Sequence, residues 1–305
     1  MSDTQTIEAT PPTAPVKAGP EKVRGLWSDA FHDLRKRPQV LVCSAVILLL
    51  ILIAAFPSLF TGKDPRDCQL ERFFGAPSAD AWFGYDQYGC DYFAMTIYGA
   101  RPSIVVGLLA TATTFILGAV IGSIAGYFGG WVDAVISRTI DVFNSIPFVL
   151  GAILILAIWR SAGDTVWPLI LALTVFGWTG GARILRGSFI EARGLDYVKA
   201  AKSLGASDSR VMFRHIFPNA MAPIVSLVPL AIGAYIEAEA SLSFLGLGLK
   251  PPAVTWGSMI SNNVPEVLAG HPRLLIIPAL FLLSATISFA LLGDAVRDAL
   301  DPKLK

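Results

Sequence analysis

Few side chains in this 305-residue sequence are spaced for catalysis. Histidine is the commonest metal ligand and a frequent general base. The three present, His32, His215 and His271, fall in separate elements, and none sits in a His-Glu-x-x-His arrangement. Gly62-Lys63 begins like a phosphate-binding loop, but Asp64 follows where Ser or Thr would meet magnesium, and nothing suitable precedes it. ATP binding in the P-loop manner is therefore excluded. No Gly-x-Ser-x-Gly nucleophile elbow occurs. Two pairs remain. Cys68 and Cys90 stand 22 positions apart in one polar stretch, where they form either a disulfide or two unlinked small residues. Glu237 and Glu239, together with Asp141, lie at the ends of uncharged runs. Such carboxylates either couple to an ion or sit as interfacial or cavity-facing acids.

The elements that must position these groups are written in the charge distribution. The composition is 54% hydrophobic and 15% charged, with a mean hydropathy of +0.59. Soluble domains carry about 25% charged residues. Six stretches lack Asp, Glu, Lys and Arg for 18 residues or more: 38–62, 102–132, 142–159, 165–182, 215–236 and 274–293. At about 1.5 Å per residue, about 20 apolar residues cross a hydrocarbon core of roughly 30 Å. The two runs of 18 need tilt or flanking charges that reach the interface. The expected fold is thus an all-α integral membrane protein with six transmembrane helices.

An even number of spans puts both termini on one side, and lysine and arginine choose the side. With cytoplasmic termini, 17 of the 24 basic residues lie inside and 7 outside, so the termini are assigned to the cytoplasm of a multi-pass protein in the cytoplasmic membrane. The tail 1–20 reads as disordered, being proline-rich and poor in apolar surface. It is too long and polar for a signal peptide. In 21–37, Trp27, Phe31 and Leu34 follow helical spacing, which fits an amphipathic helix on the inner membrane surface or a solvated helix. The first span covers 38–62 and an extracytoplasmic loop 63–101, a setting in which the Cys68–Cys90 bond would be oxidised. Residues 246–271, with Pro251, Pro252 and Trp256, suggest a second, turn-rich or re-entrant external segment. In the second span Gly118, Gly122 and Gly126 make two overlapping Gly-x-x-x-Gly steps, the pattern of a close helix contact, either moving or simply tight.

The cytoplasmic loop 188–218 carries the most telling pattern. It contains Tyr197, then Lys199-Ala200-Ala201, Leu204-Gly205, Ser207-Asp208 and finally Pro218. This resembles the coupling loop of bacterial ABC importer permeases, in which Glu-Ala-Ala is followed after three residues by Gly and after twelve more by Pro; Lys199 stands in place of the Glu. Phe83-Gly84-Tyr85-Asp86-Gln87-Tyr88-Gly89-Cys90-Asp91 is similar to the Phe-Gly-Thr-Asp-x-x-Gly-Arg-Asp signature of the oligopeptide and dipeptide permeases, C-type subunit. Residues Ala125 to Asp133, Leu242 to Gly248 with Pro251-Pro252 and Trp256-Gly257, and Leu292 to Pro302 follow the same family in order.

The resemblance implies a type I ABC importer permease fold over 102–305 with a cytoplasmic coupling helix. It implies a second, related permease completing the pore, two cytoplasmic ATP-binding subunits (or one fused pair) that bind the ATP-Mg, and an extracytoplasmic substrate-binding protein. It implies no cofactor, metal or nucleic acid on this chain, no enzyme activity of its own, and peptides as cargo, with nickel or another small solute as the alternative within the family. From the residues alone, an ion-coupled secondary transporter is the rival class; it would use Asp141, Glu237 or Glu239. In the coupling loop, Gly205 is expected to provide a bend with positive φ, Ser207 to cap a second short helix, Asp208 to complement its dipole, and Pro218 to begin the fifth span.

Overall fold

The structure, a computed structural model, describes residues 26–159 and 165–300. The tail 1–20, Arg160 and the last residues from Asp301 lie outside them. All regular structure among the described residues is helical. In chain order the helices are α1 (Leu26–Lys36), α2 (Pro38–Ala55), α3 (Tyr92–Phe128), α4 (Gly130–Ser145), α5 (Phe148–Ile158), α6 (Trp167–Arg193) and α7 (Asp196–Ser203). They continue with α8 (Asp208–Arg210), α9 (Phe217–Ala220), α10 (Ala222–Phe244), α11 (Trp256–Leu268) and α12 (Arg273–Leu300). Five of these, α2, α3, α6, α10 and α12, are long and apolar enough to cross a membrane.

The sixth expected span is not one helix. The run 142–159 straddles α4 and α5, which meet at 86°. The cause is local: Pro147 has no amide hydrogen, and Ile146 before it takes an extended conformation, φ −86° and ψ 121°. The eleven residues of α5 reach only about 16 Å, too short to cross alone, so the bent α4–α5 pair forms either one broken span or a re-entrant loop.

Helix α3 starts ten residues before the uncharged run that announced it, inside the expected external loop 63–101. Asp91 is its N-cap, accepting a hydrogen bond from the Ala94 amide at 3.0 Å. The charge at Arg101 is tolerated because its guanidinium donates at 2.8 Å to the carbonyls of both Ala54 and Ala55, which end α2. With 37 residues, α3 is about 55 Å long and extends beyond the hydrocarbon thickness.

Its main partner is α6. A β-carbon on Gly118 would lie 2.8 Å from the Trp178 carbonyl oxygen, and one on Gly126 would lie 2.6 Å from that of Arg186. Gly122 meets Ala182 in the same manner. The glycine stripe therefore lies on a matching stripe, Trp178, Ala182 and Arg186, also four apart, and backbone approach replaces the hydrophobic drive that lipid does not supply.

Near the end of α2, a core formed by Tyr92, Ile97, Trp256, Met259, Leu274 and Phe289 joins α3, α11 and α12. Trp256 is fully buried, and its indole nitrogen donates to the Thr96 carbonyl at 3.0 Å. Helix α1 rests on the far end of α12: Leu34 packs with Ala299 and Leu300, and Arg37 pairs with Asp298 at 3.3 Å. The N- and C-terminal ends of the described chain therefore share one face of the bundle.

Candidate functional site

Two regions gather the residues singled out in the sequence: the 188–218 loop at one end of the bundle and the 63–101 cap at the other.

In the first, α6 runs four turns past Trp178 to Arg193, so the connecting loop starts at Gly194 rather than at residue 188. Helix α7 is then docked by Val198, which is 1% exposed and packs with Phe189, Val211 and Ile216. The remaining surface of α7 is open. Tyr197, Lys199 and Ala200 are exposed, Ala201 is half-buried, and Leu204 just beyond is 89% exposed. Lys199, in the place of the family's Glu, reaches Asp196 at 3.3 Å on its own helix. An exposed pair of this kind contributes at most about 1 kcal/mol.

Gly205 has φ +82°, with nothing near the position a β-carbon would take, so the demand for glycine there is torsional and not steric. Ser207 occupies the N-cap position of α8 with extended backbone, but its hydroxyl makes no capping bond; it lies 3.4 Å from the Ser209 hydroxyl instead. The expected side-chain cap is absent. The Asp208 carboxylate is likewise engaged by a side chain: it accepts the phenolic hydrogen of Tyr127, on the last turn of α3. Lys202 lies 4.0 Å from the same carboxylate and 4.8 Å from the centre of the Tyr127 ring.

Pro218 belongs to α9, one short helix earlier than the fifth span proper. The six residues Val211–Ile216, just ahead of α9, widen into a π-helical turn. The proline ring would crowd the carbonyl four residues back and offers that carbonyl no amide, and a wider turn relieves both conflicts. Asn219 supplies a donor to the neighbouring His215 carbonyl at 3.0 Å.

Three more contacts fix this end. Arg193 donates to the Tyr127 carbonyl at 2.8 Å, satisfying an end of α3. Arg186 forms a two-bond pair with Asp133 at the start of α4, its Nη2 to Oδ2 distance being 2.8 Å. The loop thus grips α3, α6 and α10 together. The sequence pointed to 125–133 only as a family motif; the roles of Tyr127, Asp133, Arg186 and Arg193 depend on partners 50 or more residues away in the chain, which leave no local signal.

At the other end, Cys68 and Cys90 are joined by a disulfide with Cα atoms 4.1 Å apart. The 83–91 motif becomes a structural knot. Gly84 and Gly89 take φ of +73° and +71°. Between them the Asp86 carboxylate accepts the amides of Tyr88 and Cys90 at 2.9 and 2.8 Å. Burial raises the Asp86 carboxyl above its ordinary range, and these amides oppose the rise. Lys63 donates to Asp91 at 2.8 Å, a bond that holds its ammonium above the usual lysine value. Arg273, at the start of α12, clamps the cap from below by donating to the carbonyls of Phe74, Gly75 and Tyr85.

The two glutamates of α10 part company. Glu237 is exposed, whereas Glu239 is fully buried, so Glu239 does not face an open pathway as expected. Its carboxylate accepts Ser103 of α3 at 3.1 Å and Ser243 at 2.7 Å, and Ser103 in turn accepts the Trp256 amide at 3.3 Å. Hydroxyls on adjoining helices make it a staple between α3, α10 and α11. A cavity of about 700 Å³ opens beside this staple, between the cap and the α10–α11 connection. Among the described residues no three metal-ligating side chains converge.

A bundle of helices long and apolar enough to cross a membrane, with an amphipathic loop helix docked at one end, defines a helical membrane protein. The comparisons agree. Residues 118–305 match the family described as binding-protein-dependent transport system inner membrane component, and 25–77 match the N-terminal transmembrane domain of oligopeptide transport permease C. The chain belongs to this permease family.

Among its relatives, a dipeptide transport system permease protein of Bacillus subtilis is 38% identical over 91% of this chain and 86% of its own. An oligopeptide transport system permease protein of the same organism is 38% identical over 93% and 92%. A glutathione transport system permease protein of Pectobacterium atrosepticum is 34% identical over 93% and 94%. Of solved structures, the inward-facing MetNI methionine ABC transporter superposes with a TM-score of 0.55 at 16% identity, covering 68% of this chain and 96% of its own. An amino acid ABC transporter crystallised with histidines gives 0.51 at 20% identity, covering 68% and 94%. At these identities the likeness establishes the fold, that of an ABC importer permease.

Proposed function

We propose that this chain is the pore-forming permease subunit of an ATP-driven importer of peptides in the cytoplasmic membrane. The carrying observation is α7: a helix with one buried anchor, Val198, an open outer surface ending in Leu204, and ties through Tyr127 and Phe189 to the two spans α3 and α6. A surface of that kind fits a groove on a partner that moves. In this reading the α7 end is cytoplasmic, as lysine and arginine counting requires, and the disulfide-bonded cap is extracytoplasmic. Tyr197, Lys199, Ala200, Ala201, Leu204, Gly205, Ser207, Asp208 and Pro218 form the coupling loop. Two ATP-binding subunits, or one fused pair, carry ATP-Mg and grip it. A second, related permease completes the pore, and an extracytoplasmic binding protein delivers cargo to the cap. Glu237, exposed on α10, faces the pathway. The permease itself hydrolyses nothing and needs no cofactor.

Peptide cargo is supported by the names of the relatives, which cover dipeptide, oligopeptide and glutathione permeases. The test is reconstitution in liposomes. The chain with its partner permease, ATP-binding subunits and binding protein is expected to accumulate labelled peptide only with ATP. Uptake by the single chain under an ion gradient without nucleotide would overturn the proposal.

A further inference from the structure

Helix α2 is about 27 Å long and fills a hydrocarbon core by itself. Its end, where Arg101 holds the Ala54 and Ala55 carbonyls, marks the edge of that core. Tyr92, the first residue of α3, stands nine residues before Arg101, about 13 Å further out along the helix. The headgroup layer takes up only about 5–8 Å of that height. The Tyr92 hydroxyl meets the Leu274 carbonyl, and Asn263 of α11 donates to the same hydroxyl at 3.3 Å. The far end of α11 and the start of α12 therefore stand clear of lipid, in water.

Large apolar side chains are nevertheless open there. Leu268, ending α11, is 92% exposed, and Leu70 and Phe73, at a short turn of the cap, are 74% and 59% exposed. The two places belong to one structure. The Phe73 ring meets that of Phe74 at 4.5 Å, and Phe74 stacks on His271 at 3.8 Å. The His271 amide donates at 2.9 Å to the Glu266 carbonyl, closing the turn that carries Leu268. Phe74 is held at φ +48°, a conformation that bulky residues rarely adopt. Its amide donates to the Asp86 carbonyl at 3.1 Å and its carbonyl accepts Arg273 at 3.2 Å, so its backbone is fixed from both sides. With Phe74 turned in on His271, its neighbour Phe73 is held facing out. Two carboxylates flank these side chains. Glu71 lies between Leu70 and Phe73, and Glu266 half a turn before Leu268. Neither pairs with a cation among the described residues.

We propose that this ridge, Leu70, Phe73 and Leu268 with Glu71 and Glu266 at its edges, is the seat of the extracytoplasmic binding protein. Lipid is out of reach at this height, and the matched family is described as binding-protein-dependent. The pattern defines its complement: an apolar socket on the partner, bordered by lysine or arginine. Interfaces concentrate affinity in a few apolar and aromatic anchors, and a ridge already held rigid loses little freedom on docking. The proposal rests on the importer reading above and adds where on this subunit, and by what chemistry, the binding protein lands.

The experiment uses the assembled transporter in lipid nanodiscs and the binding protein that supports its ATP-dependent uptake, with association read by biolayer interferometry. Leu268→Ser should weaken association at least tenfold, and so should Leu70→Ser combined with Phe73→Ser. Copurification of the ATP-binding subunits checks that each variant folds. Glu71→Gln combined with Glu266→Gln should make association less sensitive to salt. Benzoylphenylalanine in place of Leu268 should cross-link to the binding protein. Unchanged affinity in either serine variant would overturn the proposal, as would an unchanged salt dependence in the glutamine variant. Cross-links confined to lipid, to the second permease or to a second copy of this chain would overturn it too. Uptake separates the two proposals. Transport with undiminished docking of the serine variants sinks only the ridge, whereas no ATP-dependent uptake with any binding protein sinks the importer reading itself.

Discussion

The phenol of Tyr127, on the last turn of α3, donates its hydrogen to the carboxylate of Asp208, 81 residues further along the chain. Tyr127 is 4% exposed and belongs to the same apolar cluster as Val198, so the bond lies where the loop helices meet the membrane bundle. The loop helices are thereby joined to α3 through this contact, to α6 through Phe189, and to α10 through the π-helical turn before Pro218.

Tyr127→Phe keeps the ring and deletes the donor. The loss should be roughly 1 kcal/mol, toward the low end for a charged partner because Asp208 is largely solvated. The ATP-binding subunits should still copurify, with ATP hydrolysis preserved and peptide uptake reduced severalfold. Parallel losses of both activities would mean that the bond merely supports folding.

Gly205→Glu should insert and pair with the second permease normally, yet weaken docking of the ATP-binding subunits and abolish uptake. Open space surrounds the position, so the charge meets nothing within this chain and the backbone bears the strain of φ +82°. Gly205→Asn, which tolerates that conformation better, should retain more uptake than Gly205→Ala. Wild-type uptake and copurification by Gly205→Glu would place the lever elsewhere.

Gly118→Leu should drive a side chain into the Trp178 carbonyl and separate α3 from α6. Overpacking of this kind costs about 1–3 kcal/mol or more. The expected result is a lower unfolding temperature in detergent. Gly180→Ala on α6 has nothing within 4 Å of the added carbon and should be neutral.

The Cys68–Cys90 bond closes a separation of 22 residues, for which the chain-entropy estimate is roughly 3 kcal/mol. Replacing both with serine should leave the spans intact and make the cap a preferred site of proteolysis. Non-reducing peptide mapping of protein from intact cells should recover the two cysteines on linked peptides; recovery of both thiols free would rule the bond out in the cell.

Asp86 supplies a pH test. Its folded carboxyl lies above the ordinary value of 3.8, so the fold favours the protonated form. That contribution is complete below about pH 4 and is lost as pH rises through the folded value. Asp86→Asn keeps an acceptor for the amides of Tyr88 and Cys90 without the charge. The variant's cap should resist protease at neutral pH at least as well as wild type, and only the wild type should gain resistance on acidification. Greater lability of Asp86→Asn at neutral pH would show that the charge itself holds the turn.

The uncharged runs were enough to identify a membrane bundle, because water-free hydrocarbon excludes charge whatever the topology. Motif spacing was enough to locate the short loop helix α7 and the positive-φ glycine after it, because a backbone conformation that only glycine takes readily is a local matter. The glycine stripe on α3 announced a close contact, but not that α6 would supply it. Other features had no local trace. The α4–α5 break follows from Pro147, yet nothing nearby states whether the helix before it crosses the membrane or turns through 86°. Ser207 read as a cap, but its hydroxyl turned to Ser209, and the Tyr127 phenol took Asp208. Glu237 and Glu239 look alike on paper, two residues apart. Helical rotation of about 200° between them sends one outward and the other against Ser103 of a distant helix. Composition and spacing decide which solvent a segment prefers and which backbone it can adopt. Which hydroxyl meets which carboxylate depends on packing between residues 81 and 136 positions apart, and only the assembled helices determine that.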